Sequence, residues 1–181
     1  MRILFVCTGN ICRSPMGELL FPRFFSAPAI TADSAGTRGL PSHPIDPSSA
    51  ALLSRDSIDS SDFHSKRLTP QIANDADLIL CFEPHHIYEV TAIAPRTGLR
   101  TFLLTSFADI CDYCAQQRLL QSGITTVDKL TIAINQASLL RPMLPQPASI
   151  PDPYQHDFQM FIATYDTICR SLARIAQATM A

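Results

Sequence analysis

The sequence predicts a single α/β domain built on a mainly parallel four-stranded sheet that helices flank. Three observations support this prediction. Short continuous apolar runs, typical of strands buried on both faces, recur along the chain. Longer stretches with apolar residues at helical spacing separate these runs, and strands that alternate with helices favour a parallel sheet. The length of 181 residues suits one domain, and the chain contains no internal repeat or linker.

The first strand, the first helix and the second strand are predicted from the beginning of the chain. Residues 3–6 form an apolar, partly β-branched run, which is typical of a buried strand. Ser14 and Pro15 mark the start of a helix over 15–25, because Ser is a preferred N-cap and Pro is favoured at the first helical position. Pro22 lacks a backbone donor, so we expect it to kink or shorten this helix. The second strand is predicted at 29–33.

The later elements follow from apolar periodicity and from loops rich in Gly and Pro. In chain order they are a helix at 48–55, a strand at 77–81, a helix at 84–94, a strand at 99–104, and helices at 107–121, 127–140 and 157–178. Five Gly and Pro residues predict a structured loop at 36–47, and five prolines predict an extended loop at 142–153.

Charge and composition narrow the choice of partner and compartment. The chain has 14 basic and 16 acidic side chains, a net charge of −2, and no run of Lys or Arg, which argues against nucleic acid or an anionic membrane as the partner. The apolar run at 3–7 is too short for a signal peptide, and no stretch approaches the length of a membrane span. We therefore expect a cytoplasmic protein. Its oligomeric state is left open.

Six cysteines are expected to be reduced thiols in such a compartment, mostly as small buried side chains. They lie at positions 7, 12, 81, 111, 114 and 169. Cys81 ends a predicted strand and is interpreted as core. Cys111 and Cys114 form a Cys-x-x-Cys pair in a predicted helix, with no second pair and no nearby His, so we expect no metal site there. No cofactor is predicted.

The loop after the first strand carries the strongest chemical signal. It reads Cys-x5-Arg-Ser from Cys7 to Ser14 and lies between a strand and the start of a helix. Backbone N–H groups in such a loop point to one place, and with the positive end of the helix dipole they form a site for phosphate. The residues expected to bind phosphate are Thr8, Gly9, Asn10, Ile11, Cys12 and Arg13.

Cys7 and Arg13 together predict covalent phosphoryl transfer. The loop donors would stabilise a thiolate at Cys7, and the planar guanidinium of Arg13 would hold two phosphate oxygens. The thiolate would attack phosphorus in line, and water would hydrolyse the resulting cysteinyl-phosphate without a metal. In the alternative interpretation the motif is a chance match and Cys7 simply ends a buried strand. The position of the motif between a strand and a helix favours the site.

The loop sequence Val-Cys-Thr-Gly-Asn-Ile-Cys-Arg-Ser-Pro-Met at 6–16 resembles the phosphate-binding loop of low-molecular-weight protein tyrosine phosphatases. Four further stretches are similar to that family in the same order: Asp-Ser-Ala-Gly-Thr at 33–37, Pro-Ile-Asp-Pro at 44–47, Ala-Asp-Leu-Ile-Leu at 76–80 and Ile-Pro-Asp-Pro-Tyr at 150–154. The resemblance covers most of the chain. It implies an enzyme that hydrolyses phosphotyrosine in protein substrates.

The resemblance also implies roles for individual residues. These are Cys7 as nucleophile, Arg13 as phosphate and transition-state binder, Asp152 as general acid, Asn10, Ser14 and Ser34 as supports of the loop and thiolate, and Tyr154 as the aromatic wall beside the substrate ring. The alternative for Asp152-Pro153 is an ordinary turn, in which this dipeptide is common. In relatives with a cysteine at the position of Cys12, it can form a reversible disulfide with the nucleophile. Whether Cys12 has this redox role or is simply a small packed side chain is left open.

Three features depart from the family pattern. Phe63 stands where the family often has a His that supports the loop, and His64 comes one residue later. Gln155 stands where many relatives have Tyr. The stretch 106–149 is longer than expected, and we interpret it as a helical insertion within a family domain over 1–181. Because it leads into the general-acid loop, we expect it to flank the cleft.

Other functions remain open. Arsenate reductases resemble this fold and loop, but they need a relay of further cysteines, which Cys81 alone does not supply. Protein arginine phosphatases are a second alternative, although such relatives favour Thr at the position of Ile11. A non-catalytic phosphate-binding module is a third, against which the intact Cys7, Arg13 and Asp152 argue. The sequence names neither the physiological substrate nor a partner kinase.

Overall fold

The computed structural model describes residues 1–146 and 148–180. Its sheet has the strand order β2-β1-β3-β4, with β1 at Arg2–Cys7, β2 at Thr31–Gly36, β3 at Leu78–Cys81 and β4 at Thr101–Leu103. Every pairing between these strands is parallel. The predicted four-stranded α/β sheet is therefore confirmed, and it is entirely rather than mainly parallel. Pro147, which falls in the predicted extended loop, lies outside the described residues.

The helices agree with the predicted positions to within a few residues at most ends. They are α1 (Arg13–Phe24), α2 (Pro47–Arg55), α3 (Pro70–Asn74), α4 (Pro84–Ile93), α5 (Leu104–Gln116), α6 (Thr126–Leu140) and α7 (Phe158–Met180), with 3₁₀ helices at Pro95–Arg100 and Arg141–Met143. The short helix α3 was not predicted from the sequence. The Thr-Pro pair at 69–70 could have predicted its start. The Thr69 hydroxyl caps the helix by accepting from the Ile72 N–H at 3.2 Å, and Pro70 occupies the first helical position.

β1 is buried on both faces, and its side chains alternate between two apolar clusters. Ile3, Phe5 and Cys7 belong to the larger cluster, which includes residues of α1, α5, α6 and α7. Leu4 and Val6 belong to the smaller cluster, to which α3 and α4 contribute. Helices therefore cover both faces of the sheet. β1 is an interior strand of the sheet, and its carboxyl end lies between the carboxyl ends of β2 and β3.

Two predicted boundaries near this end are wrong. α1 begins at Arg13 with Cys12 in the N-cap position, so Ser14 is not the cap. The Ser14 hydroxyl instead lies 3.0 Å from the Cys7 sulfur. β2 runs over Thr31–Gly36 rather than 29–33, because its register pairs Gly36 with Cys7 and carries the strand up to the loop.

Gly36 allows β2 to approach the loop after β1. A Cβ atom at this position would lie 2.6 Å from the Thr8 carbonyl oxygen and 2.9 Å from the Asn10 nitrogen. Such distances are shorter than van der Waals contact, so a larger residue would push strand and loop apart. The loop can therefore pack directly against β2, because Gly36 has no side chain at the point of contact.

The stretch 106–149, predicted as an insertion, begins inside α5. This helix is tied to α7 by Arg174, which donates to Asp109 and Asp112, each at 2.7 Å. α6 adds Leu130 and Ala133 to the larger apolar cluster. Both helices therefore contribute to the core. Among the described residues, no helix combines the length and apolar character needed to cross a membrane.

Candidate active site

The loop between β1 and α1 folds its backbone around the Cys7 sulfur. Asn10 has a positive φ of 56°, a left-handed conformation that Asn tolerates better than most residues. In this turn the Asn10 N–H donates to the Cys7 sulfur, with an N to S distance of 3.3 Å. Cys7 itself is only 3% exposed. The sulfur therefore lies at the base of a cradle of loop backbone.

Hydrogen bonds from side chains hold this cradle together. The Asn10 amide nitrogen donates to the Ser14 hydroxyl at 2.9 Å and to the Ser34 hydroxyl at 2.7 Å. Because Ser14 accepts from Asn10, its own hydrogen is free to point at the Cys7 sulfur 3.0 Å away. Two donors can thus reach the sulfur, an arrangement that stabilises a thiolate. The structure brings together the predicted supports Asn10, Ser14 and Ser34.

Two further supports were missed by sequence reasoning. The Lys66 N–H donates to the Asn10 side-chain oxygen at 2.7 Å, and Ser34 donates to a Glu18 carboxylate oxygen at 2.5 Å. Burial raises the pKa of Glu18 above its usual range. Phe63 is core, and His64 is exposed and bonds to the Asp62 carbonyl. The Lys66 backbone N–H therefore supports the loop, while Phe63, which stands where the family often has a His, packs in the core.

Arg13 is an almost fully buried cation, only 1% exposed. One terminal nitrogen pairs with Glu83 and donates to the Ile150 carbonyl at 3.0 Å. The other lies 2.9 Å from an oxygen of Asp152. Within the described residues, the Arg13 Nε has no hydrogen-bond partner. A buried donor without a partner is costly, and an anion oxygen at this point would satisfy it.

Asp152 and Tyr154 come from the extended loop before α7. The Ile150 N–H donates to the Phe82 carbonyl at 2.8 Å, which anchors this loop beside the end of β3. Asp152 is 45% exposed, and one of its oxygens accepts from the Tyr154 N–H at 3.2 Å. The predicted general acid thus reaches the site from the far end of the chain and rests against Arg13.

These residues line a cleft of about 290 Å³. Its lining comprises Cys7, Thr8, Gly9, Ile11, Cys12, Arg13, Arg38, Leu40, His43, Asp152 and Tyr154. A larger cleft of about 660 Å³, lined in part by Glu18 and Lys66, contains neither Cys7 nor Arg13. The smaller cleft is therefore the candidate active site, because Cys7, Arg13, Asp152 and Tyr154 all line it.

α4 supplies polar contacts that the sequence analysis did not predict. Glu83, its N-cap, pairs with Arg13, and the His86 Nε2 lies 3.0 Å from the Thr8 hydroxyl. Burial, together with the charge of Arg13, lowers the pKa of His86 from 6.5 to about 3. His86 is therefore neutral at physiological pH.

Among the described residues, Glu83, His85 and His86 form a group of potential metal ligands whose ligand atoms lie within 4.8 Å of one another. Two of the three residues are already held in other contacts. Glu83 pairs with Arg13, and both ring nitrogens of His86 are in hydrogen bonds, to the Glu83 N–H at 3.1 Å and to Thr8 at 3.0 Å. Of the three, the exposed His85 alone could bind a metal without losing a short hydrogen bond or an ion pair.

The buried state of His86 predicts acid-sensitive stability. Between pH 6.5 and 3 the unfolded chain binds a proton at His86 that the folded protein does not bind, so stability falls as the pH falls. From pH 7 to 4.5 the wild type should lose about 2–3 kcal/mol more unfolding free energy than His86→Gln. Urea unfolding of both proteins at the two pH values measures this difference. Equal losses would mean that the folded protein protonates His86 readily.

The other cysteines are free thiols. Cys12 lies in the loop and is buried. Burial raises its pKa well above the usual range, and the charges of Asp46 and Cys7 add to this effect. Cys81, Cys111 and Cys114 are buried in the apolar clusters, and Cys169 on α7 is partly exposed.

Comparison with known proteins identifies the family. A model of the family described as low molecular weight phosphotyrosine protein phosphatase matches residues 2–116. The low molecular weight protein-tyrosine-phosphatase Etp of Escherichia coli K12 is 43% identical over 101 residues, which cover 56% of this chain and 67% of Etp. The solved structure of the tyrosine phosphatase Wzb from Escherichia coli K30, in complex with sulphate, matches with a TM-score of 0.70 at 26% identity, covering 97% of this chain and 96% of Wzb.

A second solved structure shares the fold alone. The YwlE arginine phosphatase from Geobacillus stearothermophilus matches with a TM-score of 0.70 at 21% identity, covering 97% of this chain and 90% of YwlE. The resemblance recognised in the sequence is confirmed by the family match and by Etp. The chain belongs to the low molecular weight phosphotyrosine protein phosphatase family.

Proposed function

We propose that this phosphatase hydrolyses phosphotyrosine in proteins, with Cys7 as nucleophile, Arg13 as phosphate binder and Asp152 as general acid. The observation that supports this most is the buried Arg13, which lines the same cleft as Cys7 and has an Nε donor with no partner among the described residues. Phosphate would occupy Nε and the terminal nitrogen that now contacts Asp152. This would release the carboxyl group for the leaving oxygen.

The reaction then proceeds in two steps. The Cys7 thiolate attacks phosphorus, the S–P bond forms, the P–O bond to the phenol breaks, and Asp152 gives its proton to the departing oxygen. In the second step Asp152 takes a proton from water, water attacks phosphorus, and the S–P bond breaks to release phosphate and the thiolate. The loop N–H groups and Arg13 neutralise the equatorial oxygens in both steps.

The walls of the cleft favour an aromatic substrate. Ile11, Leu40 and Tyr154 supply apolar surface near the mouth, and Tyr154 is 48% exposed. These features support phosphotyrosine over phosphoarginine.

Hydrolysis of one carrier peptide in three phosphorylated forms tests this proposal. We expect kcat/KM for the phosphotyrosine peptide to exceed that for the phosphoserine and phosphoarginine peptides by about 100-fold or more, since the discrimination rests on several contacts worth about 1 kcal/mol each. A higher value for phosphoarginine would reassign the enzyme to arginine phosphatases. Reduction of arsenate in the presence of a thiol would reassign it to arsenate reductases.

We also propose that the chain acts as a single domain over 1–181 in the cytoplasm, on protein substrates rather than on nucleic acid or membranes. A reducing compartment would keep Cys7 reactive, and the six cysteines are all free thiols. The family model ends at residue 116, the last residue of α5. The proposed helical insertion at 106–149 overlaps this match at 106–116 and would extend beyond it.

A redox role for Cys12 is testable with peroxide. Peroxide would oxidise the Cys7 thiolate to a sulfenic acid, and the Cys12 sulfur could then displace water to form a disulfide that a thiol reverses. The raised pKa of Cys12 makes this capture slow, because the thiol is mostly protonated. Cys12→Ser should regain less activity than wild type when dithiothreitol is added after peroxide. Equal recovery in both proteins would leave Cys12 with a packing role only.

A further inference from the structure

One face of α4 contacts the active site at three points. Side chains three positions apart on a helix lie on the same face. Here these are Glu83 at the N-cap, His86 and Glu89, which contact Arg13, Thr8 and the Thr37–Arg38 segment respectively. The register of the sheet explains this placement. Cys81 at the end of β3 pairs with Val6 of β1, so the helix after β3 starts beside the loop after β1.

The hydrogen bonds of His86 determine which of its nitrogens carries the proton. The Glu83 N–H points to the His86 Nδ1 at 3.1 Å, and a backbone N–H can only donate. Nδ1 is therefore the acceptor, and in the neutral ring the proton is on Nε2. The Nε2–H then donates to the Thr8 hydroxyl oxygen at 3.0 Å.

This direction has a consequence for Thr8. Its oxygen accepts from His86, so its own hydrogen is left to donate elsewhere. Thr8 lines the cleft beside Cys7, where a phosphate oxygen would be the natural acceptor. The exposed His85 lies 3.5 Å from the same hydroxyl, at the limit of a hydrogen bond. Neutral His86 thus converts Thr8 into a donor toward the cleft.

We propose that His86 is a positioning residue for the phosphate-binding loop: it orients the Thr8 hydroxyl toward phosphate and holds the start of α4, from which Glu83 pairs with Arg13. The proposal rests on the proposed function, because it assigns His86 a task in binding the phosphate of the substrate. His86 touches neither the substrate nor the reacting atoms. It acts through Thr8 and Glu83.

The charged and titratable groups around His86 indicate that it does not transfer protons. Arg13 of α1 and Glu83 and His85 of α4 are the charged or titratable groups near it. Burial and the positive charge of Arg13 favour the neutral ring. Removal of His86 should therefore change phosphate binding without removing a limb of the pH–rate profile.

Two conservative variants separate the two hydrogen bonds of His86. The amide of His86→Asn can reach the position of Nδ1 and keep the bond to the Glu83 N–H, whereas the amide of His86→Gln can reach the position of Nε2 and keep the bond to Thr8. We expect His86→Asn to lose about 10-fold in affinity for inorganic phosphate and His86→Gln less than about 3-fold, the range for one hydrogen bond near a charge. Thermal stability should follow the opposite order, since only Asn keeps the cap. A merely structural role would move affinity and stability together.

Titration calorimetry with inorganic phosphate, together with kcat and KM for p-nitrophenyl phosphate, measures these effects. Combining Thr8→Val with His86→Asn should cost no more affinity than Thr8→Val alone, because both act on one hydroxyl. His85→Gln is the matched control, and we expect less than a 2-fold change.

Three outcomes would overturn the proposal. These are wild-type phosphate affinity in His86→Asn, an equal loss in His85→Gln, and a missing limb in the pH profile of His86→Gln. Phosphate affinity is read without turnover. An inactive wild type would therefore refute the proposed reaction, while the Asn–Gln comparison would still decide the role of His86.

Discussion

Cys7→Ser should abolish turnover of phosphotyrosine while the protein still binds inorganic phosphate. A serine hydroxyl is almost entirely protonated at neutral pH and is a far weaker nucleophile than a thiolate. The Asn10 N–H, the Ser14 hydroxyl and the buried Arg13 would remain, so the anion site would persist. We expect kcat to fall by at least about 10⁴-fold, as when other enzymes lose a covalent nucleophile.

Phosphate titration and turnover of a phosphotyrosine peptide should be measured on the same preparation. Cys169→Ser is the matched control, because this cysteine is partly exposed on α7 and does not line the cleft. It should keep activity near that of the wild type. Substantial turnover by purified Cys7→Ser would remove Cys7 from the mechanism, even if the family assignment stands.

Asp152→Ala should slow the formation of cysteinyl-phosphate in proportion to how poor the leaving group is. A phenolate leaves with a pKa of about 10, and protonation of the leaving oxygen in the transition state is typically worth about 10²–10⁴-fold. An aryl phosphate whose phenol is already acidic needs little of this help. We therefore expect a large loss for phosphotyrosine and a small one for substrates with acidic phenols. Loss of the ion pair with Arg13 affects every substrate alike and cannot produce this trend.

Pre-steady-state rates for a series of aryl phosphates with graded phenol acidity test the role of Asp152. The slope against leaving-group acidity should be steeper in Asp152→Ala than in wild type. Asp157→Asn, which removes a carboxylate from the same loop but keeps a side chain able to accept from the Met160 N–H, should have the wild-type slope. Parallel slopes for Asp152→Ala and wild type would exclude Asp152 as the acid. They would direct attention to Glu83, the other carboxylate paired with Arg13.

The sequence alone was sufficient to predict the fold class and the family, and it located the centre of the candidate site. The reason is that Cys7, the loop backbone and Arg13 are consecutive in the chain, so their geometry follows from a local strand–loop–helix turn. Asp152 is far away in sequence. Only the resemblance of its surrounding stretch to a family motif connected it with the loop, and the ion pair with Arg13 agrees with that connection.

Only the tertiary structure revealed the additional supports of the loop, Lys66, Glu18 and His86. Lys66 contributes a backbone N–H. Every non-proline residue has this group, so the residue type at position 66 does not predict the contact with the loop. Glu18 and His86 are polar residues on helices, and local sequence does not tell whether such a side chain faces water or a buried partner. Burial decides that, and burial depends on how β1, β2 and β3 align at their carboxyl ends. His86 is neutral and oriented because packing excludes water from its ring, a property that arises only when α4 is docked against the loop.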